Sequence, residues 1–322
     1  MKTRQKAACL IAGAVLSFAL VAQQPGGTRP GVVVDINPGR IILMDITRAG
    51  NRLVTVGERG FTLVSDDAGQ TWRAVATPVT RSLTRVAFEN DKLGVAVGHG
   101  GSIVRTEDGG ETWTAVVVEE AGVDSLLGVT SLGNRRFAAY GAFGLYFTSE
   151  DGGASWERRT VISEEFENHI SQVLAVNGAL WLVSEYGTLA RSDDGGLTWV
   201  ELESPYEGSF FGAVAARDGA MLVFGMRGNI FRTADGGVTW QNIETGTHTA
   251  FNGGTVLSDG RIVLVGNSGL VAESSDNGAT FQVNWSPAGR GFASVVEVPD
   301  GGIVAAGEGG VGILDLSLLT QQ

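Results

Sequence analysis

The sequence predicts an all-β fold, a seven-bladed β-propeller made of four-stranded blades. Three observations carry this reading. An octet of turn-forming residues recurs six times with a period near 42 residues. A Gly-x-x-Gly tract (Ser-x-x-Gly in one unit) begins ten residues ahead of the octet's aspartate and occurs a seventh time alone. Residues 31–322 divide into seven units of about 42 residues, whereas six would need about 49 and eight about 36.

The chain opens with a secretory pattern. Lys2, Arg4 and Lys6 precede an apolar run from Ala7 to Val21, and small residues follow at Ala19 and Ala22. Residues 1–22 therefore read as a signal peptide cut after Ala22, with Ala19 as the other site. Residues 23–30 read as a Pro/Gly linker and 31–322 as the propeller. The protein is expected to be exported, to the periplasm or beyond. Cys9 is the only cysteine and would leave with the signal, so disulfides, thiol catalysis and cysteine-ligated metals drop out.

The octets begin with SDDAGQTW at 65–72 and end with SSDNGATF at 274–281. Their third-position aspartates are Asp67, Asp108, Asp151, Asp194, Asp235 and Asp276, separated by 41, 43, 43, 41 and 41 residues. Each octet reads as the turn between a third and a fourth strand. Its Asp can accept backbone N–H groups of the same turn, its Gly can take positive φ, and its Ser or Thr adds a local bond. The aromatic residue that closes the octet starts the outer strand and can wedge against neighbouring strands.

In the second unit the strands are expected at Leu83–Phe88, Leu93–Val97, Ser102–Thr106 and Thr112–Val118. The seventh unit supplies three: Phe292–Val298, Gly302–Ala306 and Val311–Leu316. The unmatched strand 31–36 (GVVVDI) is expected to complete that last blade and close the ring.

An up-and-down blade sorts its turns between two faces. The octets share one face with the 1–2 hairpins. The Gly-x-x-Gly turns and the inter-blade links share the other, and only this second face varies at equivalent places. Glu58 and Arg59, His99, Phe143, Glu185 and Tyr186, Met226 and Arg227, Asn267 and Ser268, and Glu308 occupy it. The links add Glu119 and Glu120, then Glu164, Glu165, Phe166 and Glu167 with His169, then Pro205, Tyr206 and Glu207, and Trp285 in the last link. Variable side chains on a constant frame are how rigid scaffolds carry function, and acidic groups among aromatics suit a protein-binding rim. Candidate partner-binding residues are Arg59, His99, Phe143, Tyr186, Tyr206, Arg227 and Trp285. Arg105, Arg191 and Arg232 recur just before the octets, which argues for packing or ion pairing there.

The net charge of -12 disfavours nucleic acid and anionic membranes as partners. The three histidines, His99, His169 and His248, lack metal-ligand spacing. Neither a Gly-x-Ser-x-Gly elbow nor a phosphate-binding Gly-Lys-Ser/Thr occurs, and the Asp-Gly-Gly runs lack the closing Glu of a calcium loop. No cofactor, no metal and no catalytic residue is expected. Once the signal is removed, no membrane insertion is expected either.

The octet S/T-x-D-x-G-x-T-W is the Asp-box, or BNR repeat. Paired with a Gly-x-x-Gly turn at fixed distance over residues 31–316, it resembles the photosystem II assembly/stability factor family. That resemblance implies a non-catalytic, exported scaffold that holds membrane-protein intermediates during assembly; a monomer is expected. It also implies a binding patch of arginines, for which Arg59 and Arg227 are the nearest positions here. The runner-up reading is a sialidase-like glycoside hydrolase, since sialidases also carry Asp-boxes. Their resemblance would imply an arginine triad and a Tyr/Glu pair. The Phe/Tyr-Arg-Ile-Pro motif is absent, and Tyr186 and Glu185 are adjacent in one turn. Under the scaffold reading, reversing Arg59 and Arg227 or truncating Tyr186 or Trp285 should weaken partner capture at nearly unchanged thermal stability.

Overall fold

The computed structural model describes residues 37–320. They form seven antiparallel meanders, six of four strands and one, the last, of three. Blade 1 runs through Leu43–Ala49, Arg52–Gly57, Phe61–Ser65 and Arg73–Ala76. Blade 2 occupies Leu83–Phe88, Gly94–Gly98, Ser102–Thr106 and Thr114–Val116, within two residues of the sequence expectation at every end. Blade 7 has Phe292–Glu297, Ile303–Gly307 and Gly310–Ile313. The predicted strand 31–36 lies outside the described residues, as do the predicted signal and linker.

The first strands line the axis, each beside the first strand of the next blade, and that of blade 7 lies beside that of blade 1. The described residues therefore form a complete ring. Polar side chains stitch this inner circle. Asp45 Oδ2 accepts the Val86 N–H at 3.0 Å, Thr84 donates to the Leu126 carbonyl at 2.8 Å, and Thr130 donates to the Val173 carbonyl at 2.6 Å. The Gln172 side-chain oxygen accepts from Ala213 N–H at 2.8 Å, and the Asn252 amide donates to the Phe292 carbonyl at 2.8 Å. Each satisfies a backbone group that the gap between separate sheets would leave without a partner.

The second strands are almost wholly buried, so their sequences are largely continuous apolar runs such as Leu180–Val183 and Ile262–Val265. Core clusters lie between blades, and the aromatic residue of an Asp-box joins each of six. Trp113 packs with Val54, Val64 and Val86, bridging blades 1 and 2. Trp72 does the same across the ring closure, against Val296 and Val304 of blade 7. The seventh interface, between blades 6 and 7, has no box aromatic. Leu314, Leu316 and Leu319 pack there instead. The expected strand Val311–Leu316 thus stops at Ile313, because its last leucine side chains turn into this gap. A short 3-10 turn at Leu316–Leu318 follows, and Thr320 exchanges backbone hydrogen bonds with Trp285 at 2.9 and 3.0 Å.

Candidate functional site

The two faces separate as the repeat requires. On one, the 1–2 hairpin touches its own Asp-box: Gly109 N–H donates to the Lys92 carbonyl at 3.0 Å and Gly152 N–H to Arg135 at 2.7 Å. On the other, the Gly-x-x-Gly turn meets the outgoing link: Gly101 N–H donates to Asp124 at 2.7 Å and Gly144 N–H to Asn168 at 3.1 Å.

The Asp-box face is committed to architecture. In the blade 4 box, Ser192 Oγ donates to Asp194 and accepts the Gly196 N–H, while Asp194 accepts Thr198 through both N–H and hydroxyl. Equivalent bonds recur in the other five. The threonine hydroxyl and then its N–H hold the carboxyls of Asp67, Asp194 and Asp235 down to about 2. At Asp151 and Asp276 desolvation pushes the other way, and the hydroxyl and N–H of Ser155 or Thr280 outweigh it, again giving about 2. The arginines of this face clamp the next blade's box. Arg52 donates to the Gly109 carbonyl at 3.2 Å, Arg105 to Gly152 at 2.6 Å and Arg232 to Asn277 at 3.0 Å. Arg191 instead lies over the Trp181 ring and pairs with Asp193. All three recurrent arginines thus hold packing and ion-pair positions.

The opposite face displays side chains by a repeated backbone device. The first tract residue lies across a β-bulge in the first strand, as between Leu83 and Arg85. A Cβ on Gly98 would sit 2.2 Å from the Ser82 carbonyl oxygen, which explains glycine there. In blade 4 the serine at this place, Ser184, donates its hydroxyl to the equivalent carbonyl, that of His169, at 2.8 Å. The second tract residue returns its N–H to the residue just before the first strand in all seven blades. In six blades the third takes a left-handed conformation: Arg59 at φ 59°, Gly100 at 66°, Phe143 at 53°, Tyr186 at 52°, Arg227 at 59° and Ser268 at 56°. Left-handed backbone is costly for the non-glycine residues, about 1–2 kcal/mol each, and the surrounding hydrogen bonds hold them there. Their side chains face solvent, Phe143 56% and Tyr186 73% exposed.

The sequence candidates divide on this frame. Arg59, Phe143, Tyr186 and Arg227 are exposed at equivalent points of the ring. His99 is half-buried, its Nδ1 2.9 Å from Ser125 Oγ. Tyr206 is half-buried too, its ring 5.8 Å from Phe231 and 6.0 Å from Phe210. Trp285 departs from expectation. It belongs to the outer strand Gln282–Trp285 rather than a link, its ring packs on the blade 5–6 core, and its backbone anchors Thr320. Truncating it removes packing, so the expectation of unchanged stability does not hold there.

Glu58, Glu185 and Glu308 are also less available than their turn position suggests. Glu185 and Glu308 accept N–H groups at the start of the first strand, from His169 at 2.8 Å and Gly291 at 2.9 Å, and Glu58 reaches Ile42 at 3.4 Å. Glu185 therefore turns inward while Tyr186 points out, so the two do not form a Tyr/Glu pair.

Two depressions mark this face. One, of about 340 Å³, is lined by His99, Val123–Ser125, Leu127, Ala142, Phe143 and His169. Here the Phe143 ring meets His169 edge-on at 5.0 Å. Another, of about 590 Å³, is lined by Ser204–Gly208, Met226 and Arg227. Sequence reasoning missed Val123 and the role of Met226, since an isolated exposed apolar residue carries no periodic signal. Among the described residues no cluster of potential metal ligands is found, and no helix is long and apolar enough to cross a membrane.

Comparison with known proteins agrees with this geometry. Residues 138–296 match the family model described as photosynthesis system II assembly factor YCF48. No curated protein matches the chain significantly. A structure of YCF48 bound to a D1 peptide is similar at TM-score 0.71 and 18% identity, covering 87% of this chain and 97% of that one. YCF48 from Cyanidioschyzon merolae is similar at 0.69 and 16%, covering 86% and 95%. The GH74 enzyme of Niastella koreensis is similar at 0.69 and 16%, covering 88% of this chain but 54% of the enzyme. At such identities these structures speak to the fold. With its six Asp-boxes, its bulged Gly-x-x-Gly turns and its seven blades, the chain has the fold of the BNR/YCF48-like seven-bladed β-propellers, and residues 138–296 carry the match to that family's model.

Proposed function

We propose that this protein is a non-catalytic, exported scaffold that binds a membrane-protein or envelope partner through its Gly-x-x-Gly face. One observation carries the reading. Arg59, Phe143, Tyr186 and Arg227 stand exposed at equivalent left-handed positions on a hydrogen-bonded frame, while the arginines of the other face are spent between blades. A frame of this kind holds side chains ready for a partner, with little ordering cost on binding. The similar YCF48 structure with a D1 peptide supports a peptide segment as the kind of thing bound. Export rests on the predicted signal at 1–22.

Cross-linked capture from envelope membranes tests the reading. Arg59→Glu with Arg227→Glu, or Tyr186→Ala, should reduce capture at least tenfold and move Tm by less than about 2 °C, as surface changes do. Capture indifferent to all three substitutions would overturn it.

A further inference from the structure

The Gly-x-x-Gly face is electrically divided. Arg40, Arg59, Arg81 and Arg290 cluster on the arc where blades 7, 1 and 2 meet, and none forms an ion pair among the described residues. On the next arc, from blade 2 to blade 4, residues 117–128, 141–144 and 160–170 contain no Lys or Arg. They carry Glu119, Glu120, Asp124, Glu164, Glu165 and Glu167, again without an ion pair among the described residues. All but the half-buried Asp124 are exposed.

The depression at Phe143 opens between these two acidic links. Its floor is apolar: Leu127 and Ala142 lie beneath, Phe143 forms one wall, and Val123 is 81% exposed at the rim. Val123 and the 56% exposed Phe143 are costly to keep in water, so an apolar group seated between them is favoured.

We propose that this depression is a docking site for a cationic segment of the partner, one that inserts a single apolar side chain beside Phe143 and lays flanking Lys or Arg residues against the two acidic links. Charge complementarity selects this occupant. Six uncompensated carboxylates around an apolar floor repel an acidic segment, and they give a wholly apolar one no return for their desolvation. The proposal rests on the scaffold reading and gives that face a second, oppositely charged contact.

The probe is a fluorescein-labelled peptide, Lys-Lys-Phe-Lys-Lys, read by anisotropy with the full chain at two salt concentrations. Saturable binding is expected. It should weaken at least tenfold with Glu164→Lys/Glu165→Lys/Glu167→Lys, and at least fivefold with Phe143→Asn, which tolerates the left-handed backbone. The peptide Lys-Lys-Ser-Lys-Lys should bind correspondingly worse. A triple variant of equal charge change away from this face, Asp91→Lys/Glu201→Lys/Asp300→Lys, should bind nearly as wild type. Equal losses for the two triple variants would show attraction to net charge alone and overturn the site. So would binding that ignores both Phe143 and the peptide's Phe, or tight binding of Glu-Glu-Phe-Glu-Glu. These results leave the scaffold reading standing if capture still depends on Tyr186 and Arg227. Peptide binding as expected with capture indifferent to that face would separate the two the other way.

Discussion

At the residue scale, the Asp-box aromatics share one position and differ in one bond. Trp156 donates its Nε1–H to the Gly153 carbonyl at 3.1 Å, and Trp72 does likewise to Gly69 at 3.0 Å. The indole nitrogens of Trp113, Trp199 and Trp240 are buried without a partner among the described residues. The sixth box manages with Phe281. A buried donor with no acceptor is better replaced by an apolar group, whereas a bonded one is not. Trp156→Phe is therefore expected to cost about 1 kcal/mol more than Trp240→Phe, both residues being half-buried. Urea denaturation of the two variants checks this, and equal losses would refute it. Such a difference could not be read from six octets with near-identical letters, because it depends on how each ring tilts toward a carbonyl three residues away.

At the element scale, the turn chemistry was legible in the sequence and the strand chemistry only partly so. The Asp, Gly and Ser/Thr of each octet do what their functional groups allow. The bulge that fixes the first tract residue leaves no mark of its own, because the skipped residues, Thr84 and Ala293 among them, are of different kinds. The inward turn of Glu185 was equally hidden, since an acid on a turn is usually solvated. The boxes also set an acid limit. With folded carboxyls at about 2 and unfolded ones near 3.9, the unfolded chain binds more protons between these values. The stabilisation is complete above about pH 4 and is lost as pH falls toward 2. Calorimetric Tm should therefore drop steeply from pH 4 to 2. Thr198→Val, which deletes the hydroxyl that contributes most at Asp194, should raise that carboxyl's pKa toward its ordinary value in an NMR titration. An unmoved Asp194 would contradict the assignment.

At the scale of the whole molecule, blade count and ring were readable from the period alone, since seven units of 42 residues fit one closed body. The finish of the ring was not. By pattern the last strand extends to Leu316, whereas Leu314 and its neighbours fill the one interface among the described residues that lacks a box aromatic. A Leu-rich stretch fits strand or plug equally well by pattern, and only the vacancy left by the missing octet decides. Leu314 is 7% exposed, so Leu314→Ala is expected to cost about 2–3 kcal/mol. An exposed alanine substitution nearby, Leu318→Ala, should cost under about 0.5 kcal/mol. Similar losses for the two would remove the plug. The division of the displayed face into cationic and anionic arcs was likewise present in the letters, but it takes shape only when links distant in sequence are set around one circle.

The wedge of Trp72 against Val296 and Val304 also governs the order of assembly. Every other box aromatic bridges its own blade and the one synthesised just before it. Trp72 alone waits for partners more than 220 residues downstream. During translation at roughly 5–20 residues per second, blade 1 therefore keeps an apolar flank bare for on the order of ten seconds or more. Docking of that flank is the most non-local event in the fold, and loop-closure entropy opposes it until the last blade exists. The seam between blades 1 and 7 is where a growing chain is most open to capture by a chaperone, or by a second copy of itself.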